Sequence, residues 1–195
     1  DAAPLALTPW SAEDGGNGTA AGEAAAETAG ADAPCYIFFT SGSSGAPKPI
    51  VGRRQSLSQF IDWEIDAFGL DRGCRGSQLT AATFDAFLRD VFVPLCAGGT
   101  VCLPPARKLG PDQLLRWLEQ AGVTLVHCVP SLLRAVLAYA RQEPAAAGTA
   151  SLAALRTVCL SGEPLLPATV QAWYELFGTR VDLVNFYGAS ETTMI

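Results

Sequence analysis

Short apolar runs alternate with longer amphipathic stretches along this chain, from Pro34 to its end. Runs of about four to eight apolar residues are typical of buried strands, and longer stretches with apolar positions three and four apart are typical of helices. Strands that alternate with helices predict strand-helix-strand units around a mainly parallel sheet. We therefore expect an α/β fold in which helices flank a mainly parallel sheet.

The same patterns predict where the elements lie. The strand CYIFF, residues 35–39, opens the sheet, and a helix follows from Arg53 to Phe68. Further strands are expected near residues 77–81, 100–103, 124–129, 155–160 and 181–186. Further helices are expected at about residues 86–96, 111–121, 130–141 and 167–177. Three of these helices carry Pro at or near the first turn, where its missing N–H is not needed.

Composition excludes several classes of function. The chain has 195 residues, 49% hydrophobic and 16% charged, which suits one globular domain or a large piece of one. Its net charge is -6 and its basic residues are scattered, so nucleic acid is not an expected partner. No apolar stretch reaches the roughly 20 residues of a membrane helix, and the N-terminus lacks a secretory signal pattern. We expect a cytoplasmic protein that does not enter a membrane.

The six cysteines are spread far apart, with no Cys-x-x-Cys pair and no Cys/His cluster. We expect reduced, buried thiols rather than a metal site or disulfide framework. A single histidine, His127, and the lack of a Gly-x-Ser-x-Gly segment argue against a Ser-His-Asp hydrolase. The cysteines are Cys35, Cys74, Cys96, Cys102, Cys128 and Cys159.

The N-terminal part differs in composition from the rest. Residues 11–34 contain no large apolar residue, so they cannot bury enough surface to offset the entropy of ordering, and we predict a disordered linker. Residues 1–10 include Leu5, Leu7 and Trp10 and are interpreted as the tail of an upstream element. The predicted main domain is residues 35–195.

A loop rich in glycine and hydroxyl groups follows the first strand. In FFTSGSSGAPKPI, residues 38–50, Gly42 and Gly45 allow several backbone N–H groups to face an anion, and Lys48 adds a compact positive charge. These residue types favour polyphosphate binding, although a flexible surface turn has the same composition. Hydroxyl donors are supplied by Thr40, Ser41, Ser43 and Ser44.

The order of residues in this loop narrows the interpretation. The pattern G-x-x-x-x-G-K-[ST] of P-loop hydrolases fails, because Pro47 and Pro49 stand where a glycine and a hydroxyl are needed. From Tyr36 to Lys48 the segment resembles the motif Y-x-x-x-T-S-G-[ST]-[ST]-G-x-P-K-G of the adenylate-forming superfamily, with Pro49 replacing the last Gly. The resemblance implies that this loop holds the pyrophosphate part of ATP, within part of the large N-terminal domain of the adenylate-forming fold.

The segment NFYGASETT, residues 185–193, offers an aromatic ring, a glycine turn, a hydroxyl and a carboxylate. Taken alone, it suits either a nucleotide and metal site or the end of a strand before a capped helix. It is similar to the family motif N-x-Y-G-[PA]-[TS]-E-T. The resemblance implies that Tyr187 stacks on adenine, Ser190 contacts the α-phosphate and Glu191 binds Mg²⁺. Asn185, Phe186 and Gly188 would complete the nucleotide site.

Upstream, LSGEPL resembles the family segment G-G-E-x-L, whose backbone borders the adenine. Ser161 stands in the place of the first Gly, and Gly162 and Glu163 match the next two positions.

A third segment, residues 83–101, is similar to the F-D-x-x-x-x-[DE]-x-F-x-x-L-x-x-G-x-x segment of nonribosomal peptide synthetase adenylation domains. There the Asp pairs with the α-ammonium group of the substrate, which assigns that role to Asp85. A buried carboxylate and a bound ammonium compensate each other's lost hydration. The alternative is that Asp85 is only the N-cap of the next helix.

The same alignment implies which residues surround the substrate side chain. Because Arg89 and His127 are polar at otherwise apolar positions, we expect a pocket for a polar or acidic side chain. The alternatives are a surface Arg89 and a hydrogen-bonded core imidazole at His127. The implied pocket residues are Ala86, Arg89, His127, Cys159, Ser161, Phe186 and Met194, beside Asp85.

The implied reaction is attack of an amino acid carboxylate on the α-phosphorus of ATP, with Lys48, Ser190 and Glu191 as catalytic residues and ATP and Mg²⁺ bound. The family then loads the acyl group onto the phosphopantetheine thiol of a carrier protein, beside condensation-type domains in nonribosomal peptide synthesis. Its ribose-binding Asp, hinge and small C-terminal domain have no counterpart in this sequence, so we expect the isolated chain to be inactive. An acyl- or aryl-CoA ligase and a non-catalytic nucleotide-binding fragment remain alternatives.

Overall fold

The computed structural model describes residues 30–41, 47–143 and 152–193. Five strands form a parallel sheet in the order β4-β3-β5-β6-β7. They are β3 (Arg75–Ser77), β4 (Thr100–Cys102), β5 (Leu125–Cys128), β6 (Thr157–Leu160) and β7 (Asp182–Asn185). The predicted α/β fold with a mainly parallel sheet is confirmed.

Helices cover both faces of the sheet, because successive residues of the central strands point to opposite sides. On one face Val126 and Val158 pack with the helices α3, α4 and α5, and on the other face Leu125 and Cys159 pack with α1 and α2. The helices are α1 (Arg54–Ala67), α2 (Ala86–Cys96), α3 (Pro111–Gln120), α4 (Pro130–Gln142) and α5 (Pro167–Phe177). A short 3-10 turn, Ser190–Thr192, follows β7.

The first predicted strand does not join this sheet. Strand β1 (Pro34–Ser41) pairs antiparallel with β2 (Pro47–Arg53) in a separate two-stranded sheet. The prediction that CYIFF opens the parallel sheet was therefore wrong, and β2 was not predicted at all. Pro47 and Pro49 cannot donate a backbone hydrogen bond, which two-stranded sheets tolerate because every strand is an edge.

Strand β3 ends two residues after Arg75, whereas the apolar pattern predicted a strand at residues 77–81. The carboxylate of Asp90 accepts hydrogen bonds from the backbone N–H groups of Leu79 and Thr80, at 3.1 and 2.9 Å. These backbone groups are thus bound by a side chain instead of a neighbouring strand.

Only residues 30–34 of the predicted linker are described. They form a turn and the start of β1, and Arg54 and Gln55 donate backbone hydrogen bonds to Ala33 and Ala31. Residues 1–29 lie outside the described part of the chain, so the division into domains stays a prediction.

All six cysteines are free in the structure. Cys35 and Cys96 are exposed, however, so the expectation of burial was wrong for these two. Cys35 lies on the two-stranded sheet, outside both core clusters, and Cys96 is the last residue of α2. An apolar neighbourhood in sequence therefore did not place either thiol in the core.

Candidate functional site

A cavity of about 540 Å³ opens at the carboxyl ends of the parallel strands. This is the edge at which open α/β sheets bind ligands, because the loops that follow the strands converge there. The start of α2 forms one wall, and loops after β3, β5, β6 and β7 form the rest. The lining residues are Leu79, Thr80, Ala81, Phe84, Asp85, Ala86, Arg89, His127, Cys128, Val129, Leu132, Ser161, Gly162, Glu163, Gly188 and Ser190.

Asp85 both caps α2 and lines the cavity. Its carboxylate accepts a hydrogen bond from the backbone N–H of Ala86 at 2.8 Å. One carboxylate oxygen can serve the cap while the other faces a ligand, so the two interpretations of Asp85 are compatible. Its pairing with a substrate ammonium stays a prediction.

Arg89 is buried, with only 1% of its surface exposed, so the surface alternative was wrong. One guanidinium nitrogen, Nη2, donates to the hydroxyl oxygen of Ser161 at 3.2 Å. The guanidinium carbon lies 5.4 Å from the centre of the Phe186 ring, which is within cation–π range. The Nε and Nη1 nitrogens have no hydrogen-bond partner among the described residues.

His127 is held between two buried carboxylates. Its Nε2 lies 2.5 Å from Oε1 of Glu64, and its Nδ1 lies 3.5 Å from Oδ1 of Asp90. Burial and repulsion from Arg89 lower the pKa of His127, but attraction by Glu64, with smaller contributions from Asp90 and Cys159, raises that pKa well above 6.5. The raised pKa favours the charged imidazole, in which Nε2–H donates to Glu64.

Glu64 and Asp90 were not predicted as site residues. Glu64 is fully buried on the inward face of α1, beside Phe60 and Ile61. An acid at an apolar helix position was the signal that could have identified it, because a buried carboxylate requires a partner.

Cys159 is fully buried and lies behind His127 instead of lining the cavity. Ligand atoms of Glu64, His127 and Cys159 lie within 4.8 Å of one another. The 2.5 Å separation between His127 and Glu64 is a hydrogen-bond distance, too short for two ligands of one metal ion.

Cys128 lines the cavity as a neutral thiol, because burial raises its pKa to about 12.

The described residues on either side of the predicted phosphate loop belong to the strands β1 and β2, whereas the sequence predicted a strand before the loop and a helix after it. Thr40 pairs with Lys48 across the two strands. Nζ of Lys48 lies 3.8 Å from Oε1 of Glu191, so the structure brings two of the predicted catalytic residues together. Of the other loop residues, Ser41 ends β1, while Gly42, Ser43, Ser44 and Gly45 lie outside the described residues.

The residues after β7 point in different directions. Phe186 is buried against Phe60, Trp63 and Phe68, so it supports the wall of the site behind Arg89. Tyr187 is 93% exposed, which leaves both faces of its ring open.

Other predicted residues of this region are placed as follows. Asn185 is exposed at the end of β7, and Gly188 and Ser190 line the cavity. Met194 lies outside the part of the chain that the structure describes.

Glu163 lines the cavity but is already engaged. Its carboxylate accepts hydrogen bonds from the backbone N–H and the hydroxyl of Ser131, at 2.9 and 2.7 Å, at the start of α4. The Ser131 hydroxyl is the main cause of a lowered pKa at Glu163, and Arg134 at 3.6 Å contributes. Gly162 has a φ of 83°, a backbone conformation that favours glycine.

Helices long and apolar enough to cross a membrane do not occur among the described residues.

Comparison with known proteins gives consistent matches. A mycosubtilin synthase of Bacillus subtilis is 33% identical over 162 residues, which are 82% of this chain and 6% of that protein. L-2-aminoadipate reductase of Schizosaccharomyces pombe is 32% identical over 164 residues, which are 84% of this chain and 11% of that protein. The chain therefore spans a small part of the curated relatives it matches.

Among solved structures, the Vibrio cholerae adenylation domain AlmE in complex with glycyl-adenosine-5'-phosphate superposes with a TM-score of 0.71. It is 27% identical, and the match covers 84% of this chain and 30% of that chain. The AMP-binding enzyme family matches residues 2–195. Because this match covers nearly the whole sequence, the chain belongs to the family of AMP-binding enzymes.

Proposed function

We propose that this chain carries part of the active site of an enzyme that activates an amino acid with ATP. The product is an aminoacyl-AMP, and a carrier protein then takes the aminoacyl group on its phosphopantetheine thiol. The setting is nonribosomal peptide synthesis, where condensation-type domains belong to the same assembly line. The Bacillus subtilis mycosubtilin synthase and the AlmE adenylation domain are the relatives that support this proposal.

One observation carries the proposal. Residues from three separate motifs meet in a single cavity: Asp85 at the start of α2, Ser161 and Gly162 after β6, and Gly188 and Ser190 after β7. A volume of about 540 Å³ lies in the range of small-molecule sites. In this proposal, motifs that are far apart in the sequence act on one bound molecule.

Each wall of the cavity has a separate role in this proposal. Asp85 attracts the α-ammonium group and so turns the substrate carboxylate toward the nucleotide. Ser190 lines the cavity and offers a hydroxyl to the α-phosphate. Tyr187, with both ring faces open, stacks on the adenine. Positioning of two reactants in this way removes much of the entropic barrier to their reaction.

Charge compensation is the second contribution. Attack of the carboxylate oxygen on the α-phosphorus breaks the bond to pyrophosphate, and the negative charge moves onto that leaving group. Lys48 holds this charge through its ammonium group. Glu191 offers an exposed carboxylate, the ligand type that Mg²⁺ takes beside phosphate oxygens. Glu191 would hold Mg²⁺, which would supply positive charge near the phosphates.

A cytoplasmic location is part of the proposal. Six free cysteines are the state that thiols keep in a reducing compartment, and ATP is available there.

The test is ATP–pyrophosphate exchange with the protein at its natural length, comparing Asp85→Asn with the unchanged protein. Asparagine keeps the N-cap hydrogen bond and removes only the charge. Loss of one partner of a desolvated ion pair lowers kcat/KM for the amino acid by about 100-fold. Asp112→Asn, in the first turn of α3 and outside the cavity, is the matched control and keeps full exchange.

An acyl- or aryl-CoA ligase would behave differently. Its exchange would be driven equally well by carboxylic acids without an α-amino group and would survive Asp85→Asn. That result would exclude amino acid activation and leave an adenylate-forming ligase.

A further inference from the structure

The charged residues around the cavity are arranged in two layers. Arg89 and His127 line the cavity, while Glu64 and Asp90 are fully buried and do not line it. A bound molecule therefore meets the cations on this wall before the carboxylates. Glu163 also lines the cavity, but Ser131 and Arg134 already occupy its carboxylate.

The carboxylates behind the wall are directed at His127 and at backbone N–H groups. Glu64 accepts from Nε2 of His127, and Oδ2 of Asp90 accepts from the backbone N–H groups of Leu79 and Thr80. The remaining oxygen of Asp90 faces Nδ1 of His127 at 3.5 Å, and neither this oxygen nor Oε2 of Glu64 has a hydrogen-bond partner among the described residues. Both carboxylates favour the charged form of the imidazole.

Arg89 is left without an anionic partner. No carboxylate among the described residues lies within 4.0 Å of its nitrogens, although only 1% of the residue is exposed. The Ser161 hydroxyl and the Phe186 ring are its contacts, and two of its nitrogens make no hydrogen bond within the described part of the chain. A buried cation in this state is unfavourable, and an anion in the neighbouring cavity would remove the deficit.

The Ser161 hydroxyl also favours an anionic ligand in the cavity. Its oxygen accepts from Arg89, and its own proton has no acceptor among the described residues. A hydroxyl donor beside a guanidinium matches the two oxygens of a carboxylate.

We infer that the cavity takes an amino acid whose side chain ends in a carboxylate, bound by Arg89 and Ser161. The inference rests on the proposed function, because it places the α-ammonium group at Asp85. Asp85 and Arg89 are four residues apart on one helix, hence on the same side and about 6 Å apart along its axis. The two ends of one small substrate can reach both residues.

The experiment is ATP–pyrophosphate exchange by the protein at its natural length with a panel of amino acids. The panel contains aspartate, glutamate and 2-aminoadipate, the amides asparagine and glutamine, and the apolar leucine, valine and phenylalanine. We expect one of the three acids to give the highest kcat/KM, at least about 10-fold above the amides. A site built to bind a charged group rejects its uncharged analogue because its own polar atoms stay unpaired.

Variants then test the assignment of residues. Arg89→Gln is expected to lower kcat/KM for the preferred acid by about 100-fold and to change that for the amides much less. Arg141→Gln, which removes an exposed arginine paired with Glu175, is the control and leaves the profile unchanged. Loss of a buried guanidinium can unfold the domain, so Ser161→Ala is measured as well, with about a 10-fold loss expected for the acid alone.

The outcomes separate the two proposals. If leucine, valine or phenylalanine gave the strongest exchange, the inference of an acidic substrate side chain would be overturned, and amino acid activation would remain. The same inference would be overturned if a folded Arg89→Gln protein kept its full preference for the acid. Exchange with none of the amino acids would overturn both proposals.

Discussion

Glu64 lies outside the cavity, yet it affects the charge of His127, which lines the cavity. It lies on α1 and holds the ring of His127 from behind, at 2.5 Å. Among the groups that raise the pKa of this imidazole Glu64 has the largest effect, and it opposes burial, which lowers that pKa. The charge that lines the cavity at His127 therefore depends on a residue 63 positions earlier in the chain.

This dependence predicts a change of stability with pH. The pKa of His127 is raised in the folded state, so the pair with Glu64 contributes fully below pH 6.5 and less as pH rises through the folded-state pKa. We expect Glu64→Gln to lower the free energy of unfolding by about 3 kcal/mol at pH 6, and by less at pH 9. Hydrogen–deuterium exchange of peptides covering β5 and β6, corrected for intrinsic rates, measures both values.

Glu175→Gln is the control, because Glu175 pairs with Arg141 on the surface, where such pairs contribute about 0 to 1 kcal/mol. The same loss at pH 6 and pH 9 for Glu64→Gln would show that His127 is not charged in the folded protein.

Among the secondary structure elements, the turn between α2 and β4 depends on one glycine. A Cβ atom at Gly99 would lie 2.2 Å from the backbone oxygen of Cys74, which itself accepts the N–H of Thr100. The backbone of Gly99 cannot move away from the oxygen of Cys74 without breaking the pairing of β3 with β4. The close approach of the two strands therefore requires glycine.

We expect Gly99→Ala to destabilise the domain by about 3 kcal/mol, through overpacking against backbone atoms. Faster hydrogen–deuterium exchange in peptides covering β3 and β4 would report this loss. Gly30→Ala is the control, because no described residue lies within 4 Å of the Cβ added there, and the stability of this variant should be unchanged. Equal exchange in the two variants would contradict the steric argument.

Elements with strong local signals were predictable from the sequence. Helices α2 and α5 begin and end at the predicted residues, and the prolines at the start of α3, α4 and α5 occupy the first turn as expected. Strand partners were harder to predict, because the composition of a strand does not specify which strand it pairs with. Strand β1 has the composition of a sheet strand, yet it pairs with β2, the next strand along the chain, instead of joining the parallel sheet.

For the whole molecule, the candidate site was predictable only where residues belong to motifs. Asp85, Arg89, Ser161 and Ser190 were predicted and do meet at the cavity. Glu64, the buried carboxylate on α1, belongs to no motif, and nothing in the local sequence of α1 indicates a contact with β5. Its role follows from the packing of α1 against the sheet.

The ion pair between Lys48 and Glu191 connects two parts of the fold, the β1–β2 sheet and the turn after β7. If Glu191 holds Mg²⁺, its loss should raise the metal concentration needed for activity. We expect Glu191→Gln to increase the Mg²⁺ concentration at half-maximal ATP–pyrophosphate exchange by about 10-fold. Glu143→Gln, at the exposed end of α4, serves as the control. An unchanged Mg²⁺ requirement would remove Glu191 from the metal site.

The layered charges behind the cavity also restrict how its specificity can evolve. Replacing His127 alone leaves Glu64 as a buried charge without its partner, which costs about 3 kcal/mol or more. Replacing both removes the pair and its desolvation together, so the two changes are strongly non-additive. A change to a pocket for apolar side chains therefore requires a substitution of Glu64 on α1 as well as of His127. Variant libraries that change only the residues lining the cavity would be enriched in unfolded proteins.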